Sequence, residues 1–146
     1  MAYTPYAHIE VKKDGKWHHF GTTDLPCSSI VLAAMAGVGL DSLSENVRMH
    51  ICPAAKIHRM PDDAAEVTKL CYGQDAGRHA LHSISVLTAE DLRRLQKDLN
   101  KTSFLLLLPG GPYSLEDNIF HMHVNGGTLS AHRGWDDLRV ILWFSG

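Results

Sequence analysis

The stretch from Leu81 to Leu99 constrains the fold more than any other part of the chain, because it reads as a short strand running directly into a capped helix. His82, Ile84 and Val86 alternate with Ser83 and Ser85, the period-two pattern of a half-buried strand with one polar face. Thr88 is placed to end the strand. Its hydroxyl can accept from backbone N–H groups of the next turn, and Glu90 and Asp91 put negative charge where a helix dipole is positive. Leu92, Leu95 and Leu99 then share one stripe, with Arg93, Arg94, Lys97 and Asp98 on the other side and Asn100 as the expected terminator.

The flanking segments supply further elements. Ala7 to Lys12 alternates, Asp14-Gly15 turns the chain, and Lys16 to Phe20 answers it, which predicts a hairpin. Ser28 to Gly37 is apolar on nearly every side and predicts a buried helix closed by Gly37 or Gly39, followed by a loop over Leu40 to Asn46. Val47 to Cys52 suggests a strand. Pro61-Asp62-Asp63 suggests the opening of a second helix with Ala64, Val67 and Cys71 on its inner stripe and Gly73 as its stop. Ser103 to Leu108, Ile119 to Val124 and Leu138 to Phe144 complete the expected strands, with Asn125-Gly126-Gly127 a tight turn. Strands and helices mix without strict alternation. The expected class is therefore α+β, a single domain over residues 1–146 with a mostly antiparallel sheet of about five or six strands and two or three packed helices.

Charge and composition narrow the function classes. The formal net charge is -2 and no basic run stands out, which argues against an extended nucleic-acid surface. The longest apolar run, Phe104 to Leu108, is too short to cross a bilayer, and the N-terminus lacks the charged start and apolar core of a signal peptide, so a cytoplasmic protein with no membrane partner is expected. Cys27, Cys52 and Cys71 are widely spaced with no Cys-x-x-Cys pair and are expected as reduced, mostly buried thiols, Cys27 being the best placed for a lowered pKa near a helix start.

Familiar catalytic signatures are missing: no phosphate-cradling Gly-x-x-x-x-Gly-Lys-Ser/Thr, no Gly-x-Gly-x-x-Gly, no Gly-x-Ser-x-Gly and no His-Glu-x-x-His. The ten histidines are the unusual feature, since imidazole serves as ligand, base and pH-dependent charge. His121 and His123 flank one residue on an expected strand and so share a face, within reach of one zinc or manganese ion if Asp117, His132, His82 or His50 converges on them. His18-His19 is a weaker pair, because neighbours on a strand face opposite ways. Arg78, His79 and His82 beside Ser83 and Ser85 form a possible anion site, and Arg133 next to Trp135 adds a cation beside a stacking surface. Arg59 is a further cation without an obvious sequence partner.

Asp14-Gly15-Lys16-Trp17, Met35-Ala36-Gly37-Val38, Pro61-Asp62-Asp63, the run His82-Ser83-Ile84-Ser85-Val86-Leu87-Thr88 and the closing Arg139-Val140-Ile141-Leu142-Trp143-Phe144 together resemble a family of small bacteriophage and prophage proteins. The chain departs from that pattern at Leu25-Pro26-Cys27, at Gly39 and at Ser145-Gly146. The resemblance implies a phage origin, and small phage accessory proteins commonly act by binding, so a phage-type counter-defence or host-modulating binding protein is expected: either a homo-oligomeric sponge for a nucleotide-derived immune signal, for which Arg59, Arg78, His79, His82, Ser83, Ser85, Arg133 and Trp135 offer cations, hydrogen-bond donors and an aromatic face, or an inhibitor of a host defence protein. No cofactor is expected on that reading. A metal-dependent phosphodiesterase or nuclease using His121 and His123 with a carboxylate such as Asp117, and a minor structural phage protein, are the alternatives.

Overall fold

The computed structural model describes residues 3–23, 29–49, 51–106, 123–124, 127–128 and 138–146. Strands β1 (Thr4–Lys13) and β2 (Lys16–Thr23) form the expected hairpin. Asp14 and Gly15 both take positive φ, 53° and 78°, the conformation that lets a two-residue turn follow the twist of its strands. Strand β3 (Leu81–Thr88) and the last strand, β6 (Leu138–Ser145), complete a four-stranded antiparallel sheet in the order β2-β1-β6-β3. β4 (His123–Val124) and β5 (Gly127–Thr128) pair separately as a two-stranded sheet.

The α+β class is as expected, but among the described residues the main sheet has four strands where five or six are expected. Two of the expected strands are something else. Of the expected strand Val47 to Cys52, residues 47–48 are helical, because Ser44 and Glu45 start a helical turn, α2 (Glu45–Arg48), in which the Arg48 and Met49 amides donate to the Ser44 and Glu45 carbonyls. Residues 103–106 continue the helix α4 (Ala89–Leu106) past Asn100. An apolar run has the same composition in a buried helix as in a buried strand, and Leu106 falls seven residues after Leu99 on the same helical spacing.

The start of α4 is as expected and better made. The Thr88 hydroxyl accepts from the Asp91 amide at 3.2 Å while the Asp91 carboxylate accepts from the Thr88 amide at 3.0 Å, a reciprocal cap. β3 is less regular than its alternation suggests. Ser83 sits at φ 57° where the register against β6 shifts between His82 and Ser85, and Ser85, expected on a polar face, is buried with Val86 and Leu87.

Helix α1 (Ser29–Ala36) ends at Gly37, whose φ of 77° and amide bond to the Ala33 carbonyl close it; a Cβ there would press on Pro53 at 3.4 Å. The loop expected over Leu40 to Asn46 holds a 3-10 turn, Leu40–Ser42, and the start of α2. Helix α3 (Glu66–Ala76) begins later than the Pro61-Asp62-Asp63 signal because Pro61 to Ala64 is spent on a turn, the Ala64 amide donating to the Pro61 carbonyl. It also runs through Gly73. Its buried side is Thr68 with half-buried Cys71 and Tyr72, whereas Val67 is half exposed.

The sheet separates two cores. Ala7, Ile9, Val11, Leu87, Val140, Leu142 and Phe144 pack with Leu32 and Met35 of α1 and Leu92 and Leu95 of α4. On the other face Val86, Ile141 and Trp143 pack with Ala64 and the inner side of α3. That second face carries the polar chemistry. No helix among the described residues is long and apolar enough to cross a membrane.

Candidate functional site

The polar face of the sheet follows from strand alternation. Ala7, Ile9 and Val11 face the main core, so His8 and Glu10 face α3, and the register sets Glu10 opposite His19 on β2 and opposite Arg139 on β6. Glu10 is fully buried and its carboxylate is saturated. It accepts from Arg139 Nε at 2.8 Å, from the Thr68 hydroxyl at 2.7 Å and from the Ala65 amide at 2.8 Å. The bond from the Ala65 amide caps α3, whose N-cap residue Ala65 makes no side-chain cap of its own, and the bond from Thr68 ties the first turn to the same carboxylate. A strand carboxylate thus fixes where the helix lies.

Arg139 is correspondingly held. Its Nη2 lies 2.7 Å from Glu10 Oε1 and 3.1 Å from Asp63 Oδ1, at ion-pair distance but aligned for a hydrogen bond with neither. The guanidinium carbon sits 4.1 Å from the centre of the Trp17 ring. Its side chain is only 8% exposed, yet it borders a groove of about 790 Å³. Trp17, Leu138 and Arg139 form one part of this groove, the segment carrying Ile57, Arg59, Asp62 and Asp63 another, and the first turn of α4, with Glu90 and Arg93, a third.

Farther along the same face, His8 Nδ1 lies 3.0 Å from His19 Nε2. The His8 ring stacks on Trp143 with centroids 4.5 Å apart and planes 16° from parallel. Cys71 reaches the pair from α3, so that the two imidazole nitrogens and the thiol sulfur lie within 4.8 Å of one another. Burial pushes His8 down to about 4, assisted by His19, and lowers His19 as well. Burial and then the Asp75 charge push the Cys71 thiol up. Asp75 in turn accepts from the Trp143 indole at 2.9 Å.

The residues singled out from sequence fall in separate places. Arg59 lies in the groove. Arg78, His79, His82 and Ser83 gather at the opposite end of β3, roughly 20 Å away along the strand. There His82 Nδ1 contacts the Ser83 hydroxyl at 3.0 Å, its Nε2 the Gly146 carbonyl at 3.2 Å, and its ring meets Tyr3 edge-on, while His79 stacks on Tyr6. Ser85 is buried, donating to the Ser83 carbonyl at 3.1 Å. His123 is on β4. His121, Arg133, Trp135, Asp117, His132, His50 and Cys27 lie outside the described residues. Cys71 is half-buried, but Cys52 is exposed, contrary to the expectation of buried thiols.

Sequence reasoning passed over Trp17, Glu10, Arg93 and Arg139 in and beneath the groove, and the His8, His19, Cys71 cluster. One signal was available: Arg139 is the single charge of an otherwise apolar last strand and Glu10 is a carboxylate set between Ile9 and Val11, a pattern that calls for a partner. Comparison with protein-family models, with curated proteins and with solved structures gave no match.

Proposed function

We propose that the chain is a stoichiometric binding protein whose ligand is a compact nucleotide-type anion held in the groove between Trp17, Arg59 and the start of α4. The observation that carries the reading is the lining of the groove: Arg59 and Arg93 border the same space as the Trp17 ring, against which the buried Arg139 guanidinium packs. Packing against Arg139 holds the Trp17 ring in place in advance, which lowers the ordering cost of binding a ligand against it. Guanidinium groups suit phosphate oxygens, and Arg59 and Arg93 border the same space.

The groove is not uniformly basic. Asp62, Asp63 and Glu90 balance the three arginines, a mixture that fits a small ligand presenting phosphate to the guanidinium groups and sugar hydroxyls or base amines to the carboxylates. Trp17 contributes a half-buried flat wall. An extended polyanion finds no matching field here. Together with the phage-type sequence resemblance, these features support a counter-defence role in which the protein retains a nucleotide-derived immune signal.

Equilibrium titration of the untagged protein with mononucleotides, cyclic dinucleotides and ADP-ribose-type compounds tests this. Arg59→Ala is expected to weaken binding by about 10-fold or more, as loss of a charged hydrogen bond does, while Arg78→Ala at the far end of β3 leaves it unchanged. The reverse pattern would move the ligand away from the groove.

A further inference from the structure

Besides the groove, the sheet face under α3 brings two imidazoles and a thiol together from three separate elements. β1 supplies His8, β2 supplies His19 one diagonal step away, and α3 supplies Cys71 one turn beyond Thr68, which is tied to Glu10. We propose that His8, His19 and Cys71 bind one divalent transition-metal ion of the zinc class, through His8 Nδ1, His19 Nε2 and the Cys71 sulfur.

The dimensions fit. A tetrahedral zinc ion with its usual bond lengths sets neighbouring nitrogen and sulfur ligands about 3.3–3.6 Å apart. The three donor atoms already lie within 4.8 Å of one another, and the two nitrogens at 3.0 Å need only open slightly. The cluster is also held in advance. His8 is clamped on Trp143, Trp143 is bonded to Asp75, and Asp75 follows Cys71 by one helical turn. His19 and Cys71 are half-buried, so the cluster is reached from solvent.

The protonation chemistry is compatible with this assignment. A ligand imidazole must be neutral, and burial keeps both histidines so at neutral pH. In the metal-free protein one of the two facing nitrogens carries the proton of their shared hydrogen bond. On binding, that proton moves to the outer nitrogen of its own ring, and the Cys71 thiol gives its proton to the buffer as the metal–sulfur bond forms. One proton is therefore released per ion. The negative charge of Asp75, which opposes thiolate formation in the metal-free protein, helps neutralise the dication.

Chelator-treated, untagged protein titrated with Co2+ and then Zn2+ tests the proposal. The expected result is one equivalent of Co2+ bound with thiolate-to-cobalt charge-transfer absorption, displaced by Zn2+. Tighter retention of Cu2+ would follow the general affinity order and support the same donor set. Cys71→Ser should abolish the charge-transfer band, and His19→Ala should weaken binding by about 100-fold or more, since even outer-shell losses reach that figure. Cys52→Ser, at an exposed thiol, should change neither. Both ligand positions are half-buried, and unchanged circular dichroism of the variants is the control that separates loss of a ligand from loss of the fold. A band that survives Cys71→Ser would overturn the assignment and point to another thiol, and cobalt bound without any such band would overturn it and point to other histidines, such as His121 and His123.

Discussion

Glu10 and Arg139 stand directly opposite each other on the two central strands, 2.8 Å apart from Arg139 Nε to Glu10 Oε1, buried beneath the helix that Glu10 itself caps. The pair joins fold to site. Its acidic half positions α3, and its basic half borders the groove.

Removing one member of such a pair leaves an uncompensated buried charge and, for Glu10, two donors of α3 unsatisfied. Glu10→Ala is expected to lower stability by about 3–5 kcal/mol in urea denaturation. The double variant Glu10→Leu, Arg139→Leu should lose less than the two single losses added together, because neither charge is stranded.

Acid should destabilise the fold through His8. Its folded pKa of about 4 lies below the ordinary 6.5, so the folded state binds fewer protons than the unfolded chain. Stability is complete above 6.5, declines as pH falls through that value, and levels near 4, with up to about 3 kcal/mol lost. The His19 shift acts in the same direction. Denaturation midpoints between pH 7 and 4 read this directly, and His8→Gln should flatten the slope.

Thr88→Ala removes the hydroxyl that accepts from Asp91 at the start of α4. The expected cost is about 1 kcal/mol, measured by thermal or urea unfolding. A much larger loss would mean that Thr88 also supports the groove it borders.

Local signals of high specificity were legible in the sequence. Asp14-Gly15 marked the hairpin, Thr88 with Asp91 marked a helix start, and Gly37 marked a helix end, because each uses chemistry confined to a few neighbouring residues. Apolar runs were not decisive, and residues 103–106 read as strand but lie in a helix. Pro61-Asp62-Asp63 misled for a different reason. Asp63 pairs with Arg139, a partner far along the chain, instead of capping the next helix. The sites were less legible still, since they depend on which strands become neighbours. Adjacent His18 and His19 do face apart, yet His19 meets His8 across the hairpin, and no spacing within one segment reveals Cys71 beside them. The histidine-rich appearance of the chain was a sound cue to the chemistry and a poor guide to which histidines carry it.

Native mass spectrometry of the untagged protein, before and after incubation with cyclic and ADP-ribose-type nucleotides, tests the binding account most directly. The account predicts a nucleotide retained at unchanged mass, one per groove, and lost in Trp17→Ala and Arg59→Ala variants that remain folded. Release of a cleaved nucleotide, or no retention of any member of the panel, would contradict it.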